Sequence, residues 1–462
     1  MASVGVDVTG TSGNDRKIGT YGGSEFFIAD AGDDYYDGAS PLIGGPFGHD
    51  RSAYDTISYQ NSPAGVHVDL ATGTVIDGWG GHDTLVNIAY IWGSMYDDEL
   101  IGDEGKNWIS GLKGNDIIDG GPDKDFGYVV AYMDDPAGVH VDLGQGYAID
   151  GWGDRDTIRN IISVHSSAFD DTIIGTDGQN DFYGMKGADH FDGRGGNDNL
   201  RYWDSGRLLD PANAAAAGGR SGVYVNLAEG YAFDEWGDKD TFLNMEGVDA
   251  GNGNDTVIGS DVVNFFHMRG GNDVYEGRGG VDFAHYQRHQ DGGASTQHSW
   301  SRDDNGDWIV SSATSSEKMI GVERLQFLDG FVALDIDGNA GQGYRLYQAA
   351  FNRTPDTDGL AHWVLRLDNS TTLHEVAQAF IGSDEFRGLY GASPNNRDFV
   401  NLLYNNVLHR GADEGGFKYW IDRMGDGVDR AEVLVSFSDS VEYQQNVASA
   451  VSHGIWLGAF WD

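Results

Sequence analysis

The sequence predicts a mainly β protein, in which a parallel β-solenoid with a β cap is followed by an all-α C-terminal domain. Three observations carry this prediction. Glycine loops that each end in an Asp or Asn recur every nine residues in the first part of the chain. This beat stops at about His285, where strand and turn signals follow. Beyond Gly341 the pattern becomes helical and contains a second internal repeat.

Each nine-residue step predicts one loop and one short strand. Glycines lead into Asn107, Asp116 and Asp125, and apolar and polar residues alternate after the first two of these. Glycine allows the positive φ angles of a tight loop, and the alternation predicts a strand. Two such steps therefore make one full coil, which places Asp98 above Asp116 and Asn107 above Asp125.

The beat returns in several blocks along the chain. Three blocks read Asp-Asn-Asp-Asp at nine-residue spacing, and a looser block opens the chain. The positions are Asp98, Asn107, Asp116 and Asp125; Asp171, Asn180, Asp189 and Asp198; Asp255, Asn264, Asp273 and Asp282; and, in the looser block, Asp15 and Asp34. A pattern that keeps phase over so many steps is typical of a solenoid of stacked coils.

A longer unit contains these blocks. The segments GVHVDL, GVHVDL and GVYVNL start at Gly65, Gly138 and Gly222, and a loop with Trp-Gly follows each of them. The second interval exceeds the first by the length of the segment from Asp210 to Arg220, an expected surface insertion. One Asp after each Trp-Gly loop lies at a constant spacing before the first Asp of the next block; these are Asp83, Asp156 and Asp240.

Stacked loops of this kind predict a metal site built only from oxygen. Ca²⁺ accepts about six to eight oxygen ligands, whereas Mg²⁺ keeps its waters and Zn²⁺ prefers nitrogen or sulfur. All the Asp and Asn positions above are therefore candidate calcium ligands. Unpaired stacked carboxylates are costly without a cation, so we expect the solenoid to be largely disordered without Ca²⁺. The alternatives are an acidic, glycine-rich linker, which would not keep phase, and a solenoid without metal.

The pattern resembles the nonapeptide GGxGxDxUx of RTX proteins, which form calcium-binding parallel β-rolls. The nearest matches are GLKGNDIID from Gly111, GRGGNDNLR from Gly193 and GRGGVDFAH from Gly277. The resemblance implies an RTX β-roll over residues 1–285 and a β cap over residues 286–340.

Some loops depart from the RTX pattern. The loops GSMYDD and GSDVVN lack the glycine at the fourth position, and Asn107, Asn180 and Asn264 replace Asp. We expect weaker or empty calcium sites at these loops.

The helical domain, residues 341–462, contains two copies of one pattern. Leu346, Tyr347, Arg353, Asp356, Gly359, Trp363, Phe380, Ser383 and Glu385 each recur 57 positions later, from Leu403 to Glu442. Asp356 and Asp413 are predicted helix N-caps, and the repeated Trp and Phe are predicted core residues. The pair resembles a helical domain of unknown function found in bacterial RTX and surface-layer proteins.

Composition limits the partners of the chain. The formal charge is −44, from 29 Lys+Arg against 73 Asp+Glu, so the surface repels nucleic acid and anionic lipid heads. The chain has no Cys and no apolar run of about 18 residues, which excludes disulfides and membrane insertion. The start MASVGVDVTG is not a cleavable secretory signal. The RTX resemblance implies type I secretion, an extracellular location and folding on contact with external Ca²⁺.

No catalytic constellation stands out in the sequence. HEVAQ has Gln378 where a zinc-protease motif needs its second His, and no G-x-S-x-G elbow or DPHD motif is evident. His67 and His140 occupy equivalent strand positions, but Tyr224 replaces them in the third unit, which favours outward strand positions over a catalytic role. An extracellular polysaccharide lyase or hydrolase on the solenoid face stays open as an alternative.

A binding role has a clearer candidate. Trp79, Trp152 and Trp236 occupy one loop position in three successive units. Exposed, they would form an aromatic row for sugars beside calcium sites; otherwise, each packs on the neighbouring coil. We therefore expect a secreted calcium-binding protein of the cell surface or matrix, acting in adhesion, surface-layer or exopolysaccharide binding, with calcium-driven self-assembly into a layer or filament as a further alternative.

Overall fold

A computed structural model describes residues 7–39, 42–45, 48–51, 54–122, 128–202, 222–287 and 291–459. The chain divides into two compact units, Met1–Ile258 and Gly259–Asp462. Described strands fill the first unit, and the second combines strands with helices, which confirms the predicted mainly β fold with a helical C-terminal part. The expected surface insertion, Asp210 to Arg220, and the candidate ligand Asp125 lie outside the described residues.

The first unit is built from short strands. They are β1 Asp7–Thr9, β2 Arg16–Ile18, β3 Phe26–Ile28, β4 Tyr35–Asp37, β5 Leu42–Gly45, β6 Gly48–Arg51, β7 Thr56–Ser58, β8 His67–Asp69, β9 Thr74–Ile76, β10 His82–Val86, β11 Tyr90–Trp92, β12 Glu99–Ile101, β13 Trp108–Ser110, β14 Ile117–Asp119, β15 Val129–Ala131, β16 His140–Asp142, β17 Tyr147–Ile149, β18 Arg155–Arg159, β19 Ser163–His165, β20 Thr172–Ile174, β21 Asp181–Tyr183, β22 His190–Asp192, β23 Asn199–Arg201, β24 Tyr224–Asn226, β25 Tyr231–Phe233, β26 Lys239–Leu243, β27 Gly247–Asp249 and β28 Thr256–Ile258.

One sheet of this unit is parallel throughout. Its order is β1-β3-β7-β11-β13-β15-β19-β21-β23-β27. Tyr90 lies opposite Trp108 in the register of β11 and β13, a separation of two nine-residue steps. The facing sheet has the same register in places, with Glu99 opposite Ile117. The two-step coil predicted from the nine-residue beat is therefore confirmed.

The second sheet contains antiparallel excursions that the sequence analysis did not anticipate. In each longer unit three strands pair antiparallel, as in β8-β9-β10, before the chain returns to parallel pairing. The same arrangement recurs in β16-β17-β18 and β24-β25-β26. Each Trp-Gly loop is the turn of the second hairpin in such an excursion. The excursions therefore place these loops directly beside the glycine loops of the coils.

The core of the first unit is a column of apolar side chains between the sheets. Successive strand residues point to opposite faces, so the middle residue of a three-residue strand faces inward. Ile91, Ile109, Leu100 and Ile118 occupy this position and are fully buried. This inward column fixes the phase of the coils, because a one-residue slip would turn every apolar side chain outward.

Glycine is required where one coil approaches the next. A Cβ atom on Gly138 would lie 2.0 Å from the backbone oxygen of Asp170, whereas one on Gly178 would meet only the Thr176 hydroxyl, at 3.6 Å. We expect Gly138→Ala to destabilise the unit by about 1–3 kcal/mol, because backbone must move to relieve the clash. Gly178→Ala is the control, and thermal unfolding in Ca²⁺ is the measurement. Equal midpoints for the two variants would contradict this account.

The second unit continues with strands and then helices. Its strands are β29 Phe265–His267, β30 Val274–Glu276, β31 Phe283–His285, β32 Ser299–Arg302, β33 Trp308–Ser311, β34 Ser316–Ile320, β35 Arg324–Phe327, β36 Gly330–Ala333 and β37 Ile455–Gly458, with a 3₁₀ turn at Ser295–Gln297. Its helices are α1 Asn339–Phe351, α2 Thr357–Asp368, α3 Leu373–Ile381, α4 Asp384–Tyr390, α5 Asn396–Asn406, α6 Glu414–Gly425, α7 Arg430–Ser438 and α8 Val441–Val451.

The β cap is held to the helices by a buried cation. Arg324 in β35 is fully buried, and its guanidinium contacts Asp335 and, at 2.7 Å, Asp368 at the end of α2. A hairpin turn lies at Asp303–Trp308, since β32 and β33 pair antiparallel around it. The cap sheet then runs β35-β36-β37, so the last described strand returns from the helices to the cap.

The helical repeat is visible as a repeated network. Arg353 contacts Glu385 and Arg410 contacts Glu442, each at 2.7 Å. The carboxylates of Asp356 and Asp413 accept hydrogen bonds from the backbone of Gly359 and Gly416, both at 2.8 Å, which confirms the predicted N-caps. The repeated aromatic residues Phe380 and Phe437 are 3% exposed and belong to the core, as predicted. In the described part of the chain, no helix is long and apolar enough to cross a membrane.

Candidate metal centre

The recurring carboxylates form hydrogen-bonded ladders across the coils. In one ladder, the Oδ1 atom of each Asp accepts a hydrogen bond from a backbone N–H of the preceding coil. The donor–acceptor pairs are Val66 and Asp98 at 2.7 Å, Asp98 and Asp116 at 2.8 Å, and Asp116 and Asp156 at 3.0 Å. The hydroxyl of Tyr132 donates to Oδ2 of Asp156 at 3.1 Å and ends the ladder.

The same ladder occurs on both sides of this one along the chain. Asp15, Asp34 and Asp83 are joined at 2.7 and 2.9 Å, and Tyr59 donates to Asp83 at 2.9 Å. Val139, Asp171, Asp189 and Asp240 are joined at 2.6, 2.9 and 3.1 Å, and Tyr202 donates to Asp240 at 3.0 Å. The three Asp residues that follow the Trp-Gly loops are therefore the last rungs of the ladders.

The opposite column of loops is ordered differently. Asn180 and Asp198 are joined at 2.7 Å, and the ladder ends on Glu246, which accepts from Asp198 at 3.0 Å. The sequence analysis missed this glutamate because it lies outside the nine-residue beat. The amide of Asn180 donates to the backbone oxygen of Ile162 at 3.3 Å, a bond that a carboxylate could not make. Asn180 therefore occupies the first position of this ladder in place of Asp, because that position needs a side-chain hydrogen-bond donor.

Some loops are closed by their own backbone. In these loops an N–H group donates to the side-chain oxygen four residues later. The pairs are Thr11 and Asp15, Ser94 and Asp98, Asp103 and Asn107, Ser167 and Asp171, Thr176 and Asn180, and Ser260 and Asn264, at 2.6–2.9 Å. The bond takes up an oxygen lone pair that a metal would otherwise use. These loops include the ones whose sequences depart from the RTX pattern.

Other loops leave a carboxylate oxygen open. Four residues before each Asp, they have a non-glycine residue in the left-handed region, at φ values of 63–71°. These residues are Leu112, Met185, Arg194 and Arg278. The corresponding Oδ2 atoms, of Asp116, Asp189, Asp198 and Asp282, are buried and have no hydrogen-bond partner. A buried carboxylate oxygen without a partner is costly, which indicates a ligand at this position.

Burial raises the pKa values of aspartates in the open loops. Burial, together with the negative charge of Asp156, raises the pKa of Asp116 to about 9. Burial and the charge of Asp240 likewise raise the pKa of Asp189 to about 9. In the closed loop at Asp98 burial raises the pKa only to about 6, because hydrogen bonds from Ser94 and Val66 oppose it. A positive charge is therefore needed to keep the open carboxylates ionised at neutral pH.

The space beside the open oxygens fits a cation bound by oxygen. A Cβ atom on Gly193 would lie 2.4 Å from Oδ2 of Asp198 and 2.2 Å from the backbone oxygen of Asn244. At Gly277 the corresponding distances are 2.3 Å to Asp282 and 2.2 Å to the oxygen of Gly321. A carboxylate and a carbonyl thus converge on a space that only glycine leaves empty. Donors of this type suit Ca²⁺.

The opening block contains a compact acidic group. Oxygen atoms of Asp15, Asp30 and Asp34 all lie within 4.8 Å of one another. Asp30 was not among the predicted ligands, although the motif Asp-x-x-x-Asp that it forms with Asp34 is legible in the sequence. The ammonium group of Lys17 lies 3.9 Å from Asp15, so an internal cation already accompanies this group.

Comparison with protein families agrees with this geometry. Residues 92–126 and 165–200 match the family described as RTX calcium-binding nonapeptide repeat (4 copies). The chain carries RTX repeats. Calcium is therefore the ligand of these repeats. The RTX region is taken as residues 1–285, over which the Asp and Asn positions recur. In the helical part, residues 344–388 and 377–447 match a domain of unknown function, DUF4214. No curated protein matches the chain.

The remaining predicted residues are two aspartates and the three tryptophans of the Trp-Gly loops. Asp255 accepts from the backbone of Val223 at 2.7 Å, and Asp273 is 3% exposed. Trp79, Trp152 and Trp236 are all half-buried, between the two arrangements that the sequence left open. The RTX region thus brings the predicted acidic residues together, whereas the tryptophans do not form a fully exposed row.

Proposed function

We propose that this protein is a secreted calcium-binding protein that folds on Ca²⁺ binding and acts at the cell surface or in the extracellular matrix by binding polysaccharide. The observation that carries the calcium part is the set of open, buried oxygens at Asp116, Asp189, Asp198 and Asp282. RTX-repeat proteins are typically secreted, and extracellular calcium is abundant enough for sites with Kd values of about 10⁻⁴–10⁻³ M.

A cavity beside Trp236 supports the polysaccharide part. It measures about 250 Å³ and is lined by Trp92, Trp236, Asp134, Ser167 and Lys186, among others. Aromatic faces bind the C–H surface of a sugar ring, and hydroxyl and carboxylate groups fix its orientation. The exposed ammonium of Lys186 adds a positive charge that suits a uronate carboxylate. This combination favours an acidic polysaccharide over a neutral one.

We expect Trp236→Ala to abolish calcium-dependent retardation of the protein in gels that contain an acidic polysaccharide, because the variant loses one aromatic wall of the cavity. Lys186→Ala should weaken retardation by acidic but not by neutral polysaccharides. Trp152→Ala is the matched control, since Trp152 occupies the equivalent loop position but does not line this cavity. Affinity electrophoresis with millimolar Ca²⁺ and then with EDTA is the measurement. Unchanged retardation of Trp236→Ala would refute the proposed binding site.

A further inference from the structure

Each Trp-Gly loop begins with an Asp that the nine-residue beat does not include. These residues are Asp77, Asp150 and Asp234, and they lie outside the segments that match the RTX repeat. Each stands just after a strand, at the turn into the next strand of an antiparallel excursion. Because this Asp recurs three times, the same local arrangement can be compared at three places in the chain.

One oxygen of each carboxylate is fixed by its own loop. Oδ1 of Asp150 accepts hydrogen bonds from the backbone of Trp152 at 3.0 Å and of Asp154 at 2.7 Å. Oδ1 of Asp77 likewise accepts from Trp79 at 3.0 Å, and Oδ1 of Asp234 accepts from Asp238 at 2.7 Å. These bonds hold the carboxylate in one orientation and do not involve Oδ2.

The other oxygen is buried and has no partner. Asp77, Asp150 and Asp234 are 4%, 2% and 1% exposed, and Oδ2 of each makes no hydrogen bond. A Cβ atom on Gly81 would lie 2.9 Å from Oδ2 of Asp77 and 2.0 Å from the backbone oxygen of Gly32. In the first loop the free oxygen thus shares a glycine-lined space with a carbonyl from the neighbouring coil, whereas Asp154 and Asp238 stand at the position of Gly81 in the other two loops.

Further carboxylates lie near Asp150. The charge of Asp150 raises the pKa values of Asp116, Asp135 and Asp156, after the larger effect of burial on each. Asp135 is 5% exposed, and its Oδ2 accepts a hydrogen bond from the backbone of Gly151 at 2.7 Å, which ties it to the Trp-Gly loop. Asp154 adds a further negative charge beside Asp150.

The third loop repeats this environment. The charge of Asp234 raises the pKa values of Asp189 and Asp240, again after burial, and Asp238 lies beside Asp234. Among the described residues, the nearby charges that act most strongly on Asp150 and Asp234 are those of Asp154 and Asp238, both negative. The second and third loops thus each have several acidic groups near one buried, unpartnered oxygen.

We propose that the Trp-Gly loops hold a second class of calcium site, separate from the RTX nonapeptide loops. Oδ2 of Asp77, Asp150 or Asp234 is the central ligand. The adjacent ladder carboxylate, from Asp83, Asp156 or Asp240, and loop carbonyls complete an oxygen-only set. This inference rests on the proposed calcium-dependent function and assigns ligands that the nonapeptide motif does not contain.

The test is the number of Ca²⁺ ions bound by the full chain, measured by equilibrium dialysis and elemental analysis. Asp→Asn keeps the Oδ1 acceptor and removes the charge. Asp150→Asn and Asp234→Asn should each lose one ion, and the double variant two. Asp142→Asn is the control, because Asp142 is equally buried but both its oxygens are paired with Gln145.

The outcomes separate this inference from the proposed function. A wild-type chain that binds no Ca²⁺ would refute the proposed function itself. If the wild-type chain binds Ca²⁺ and the double variant binds the same number of ions, only the second class of sites is refuted. The free carboxylate oxygens would then be protonated. If the variants fail to fold, crystals of the wild-type chain with Tb³⁺ decide the matter. An anomalous peak beside Oδ2 of Asp150 supports the site, and its absence overturns it.

Discussion

Removal of calcium is expected to unfold the RTX region at neutral pH. The open carboxylates of Asp116, Asp189, Asp198 and Asp282 are buried without hydrogen-bond partners at Oδ2, so their charges are left uncompensated once the cation is gone. Metal binding and folding are then one equilibrium, because the unfolded chain has no preformed site. Far-UV circular dichroism should show loss of strand signal in EDTA and its recovery in millimolar Ca²⁺.

The helices provide an internal reference for this experiment. Among the described residues, none of the buried carboxylate oxygens that lack a partner belongs to α1–α8. We therefore expect the strand signal to depend on Ca²⁺ more strongly than the helix signal. Mg²⁺ is the control ion, since it keeps its waters and fits such cages poorly. An EDTA spectrum already rich in strand would contradict calcium-coupled folding.

Protons should partly replace calcium in EDTA. Burial raises the pKa of Asp116 and Asp189 to about 9, and of Asp198 to about 7, above the value of about 4 in an unfolded chain. A group with a raised folded pKa favours the folded state below the unfolded pKa, and this advantage is lost as pH rises through the folded pKa. The calcium-free chain should therefore gain strand signal as the pH falls from about 9 towards about 4, which circular dichroism in EDTA measures. A signal that does not change over this range would contradict the prediction.

The substitution Arg324→Met is expected to destabilise the second unit by about 3–5 kcal/mol, because it leaves two buried carboxylates without their cation. Arg324 is fully buried, and it donates to Asp335 and to both oxygens of Asp368, at 2.7 and 2.8 Å. Met fills a similar volume, so the loss reports the ionic contacts rather than a cavity. Thermal unfolding in saturating Ca²⁺ measures it.

Arg353→Met is the matched control for this substitution. Arg353 also contacts two carboxylates, Asp356 at 3.1 Å and Glu385 at 2.7 Å, but its side chain is 39% exposed. Solvent screens such a pair, and its loss should cost about 1 kcal/mol or less. Similar unfolding midpoints for the two variants would show that the Arg324 cluster does not hold the cap to the helices.

Much of the fold could be predicted because two nine-residue repeats of the sequence form one coil of the structure. The spacing of Asp98 and Asp116 gives the register of Glu99 against Ile117, and the repeated Arg353 and Arg410 give the two halves of the helical domain. The antiparallel excursions could not be predicted in this way. Their strands have the same alternation as parallel ones, and only pairing partners distinguish the two.

The metal ligands were predicted less completely than the fold. The residue four positions before the ligand separates an open loop from a closed one, since Leu112 precedes Asp116 whereas Ser94 precedes Asp98, and this difference is legible in the sequence. Asp150 carries no such signal. It lies outside the nine-residue beat, and although it recurs before each Trp-Gly loop, as Asp77 and Asp234, burial and an unpaired oxygen are what distinguish it in a chain with 73 Asp+Glu.

The position of β37 has a consequence for how the chain completes its fold. Ala333 of β36 pairs with Ile455 of β37, although all eight described helices lie between them in sequence. The helical domain is thus an insertion within a β-hairpin, and this pairing has a high contact order that delays it until the helices have formed. Until then β36 presents an open edge that β37 of another copy can occupy. Slow or incomplete helix formation should therefore favour strand-exchanged dimers.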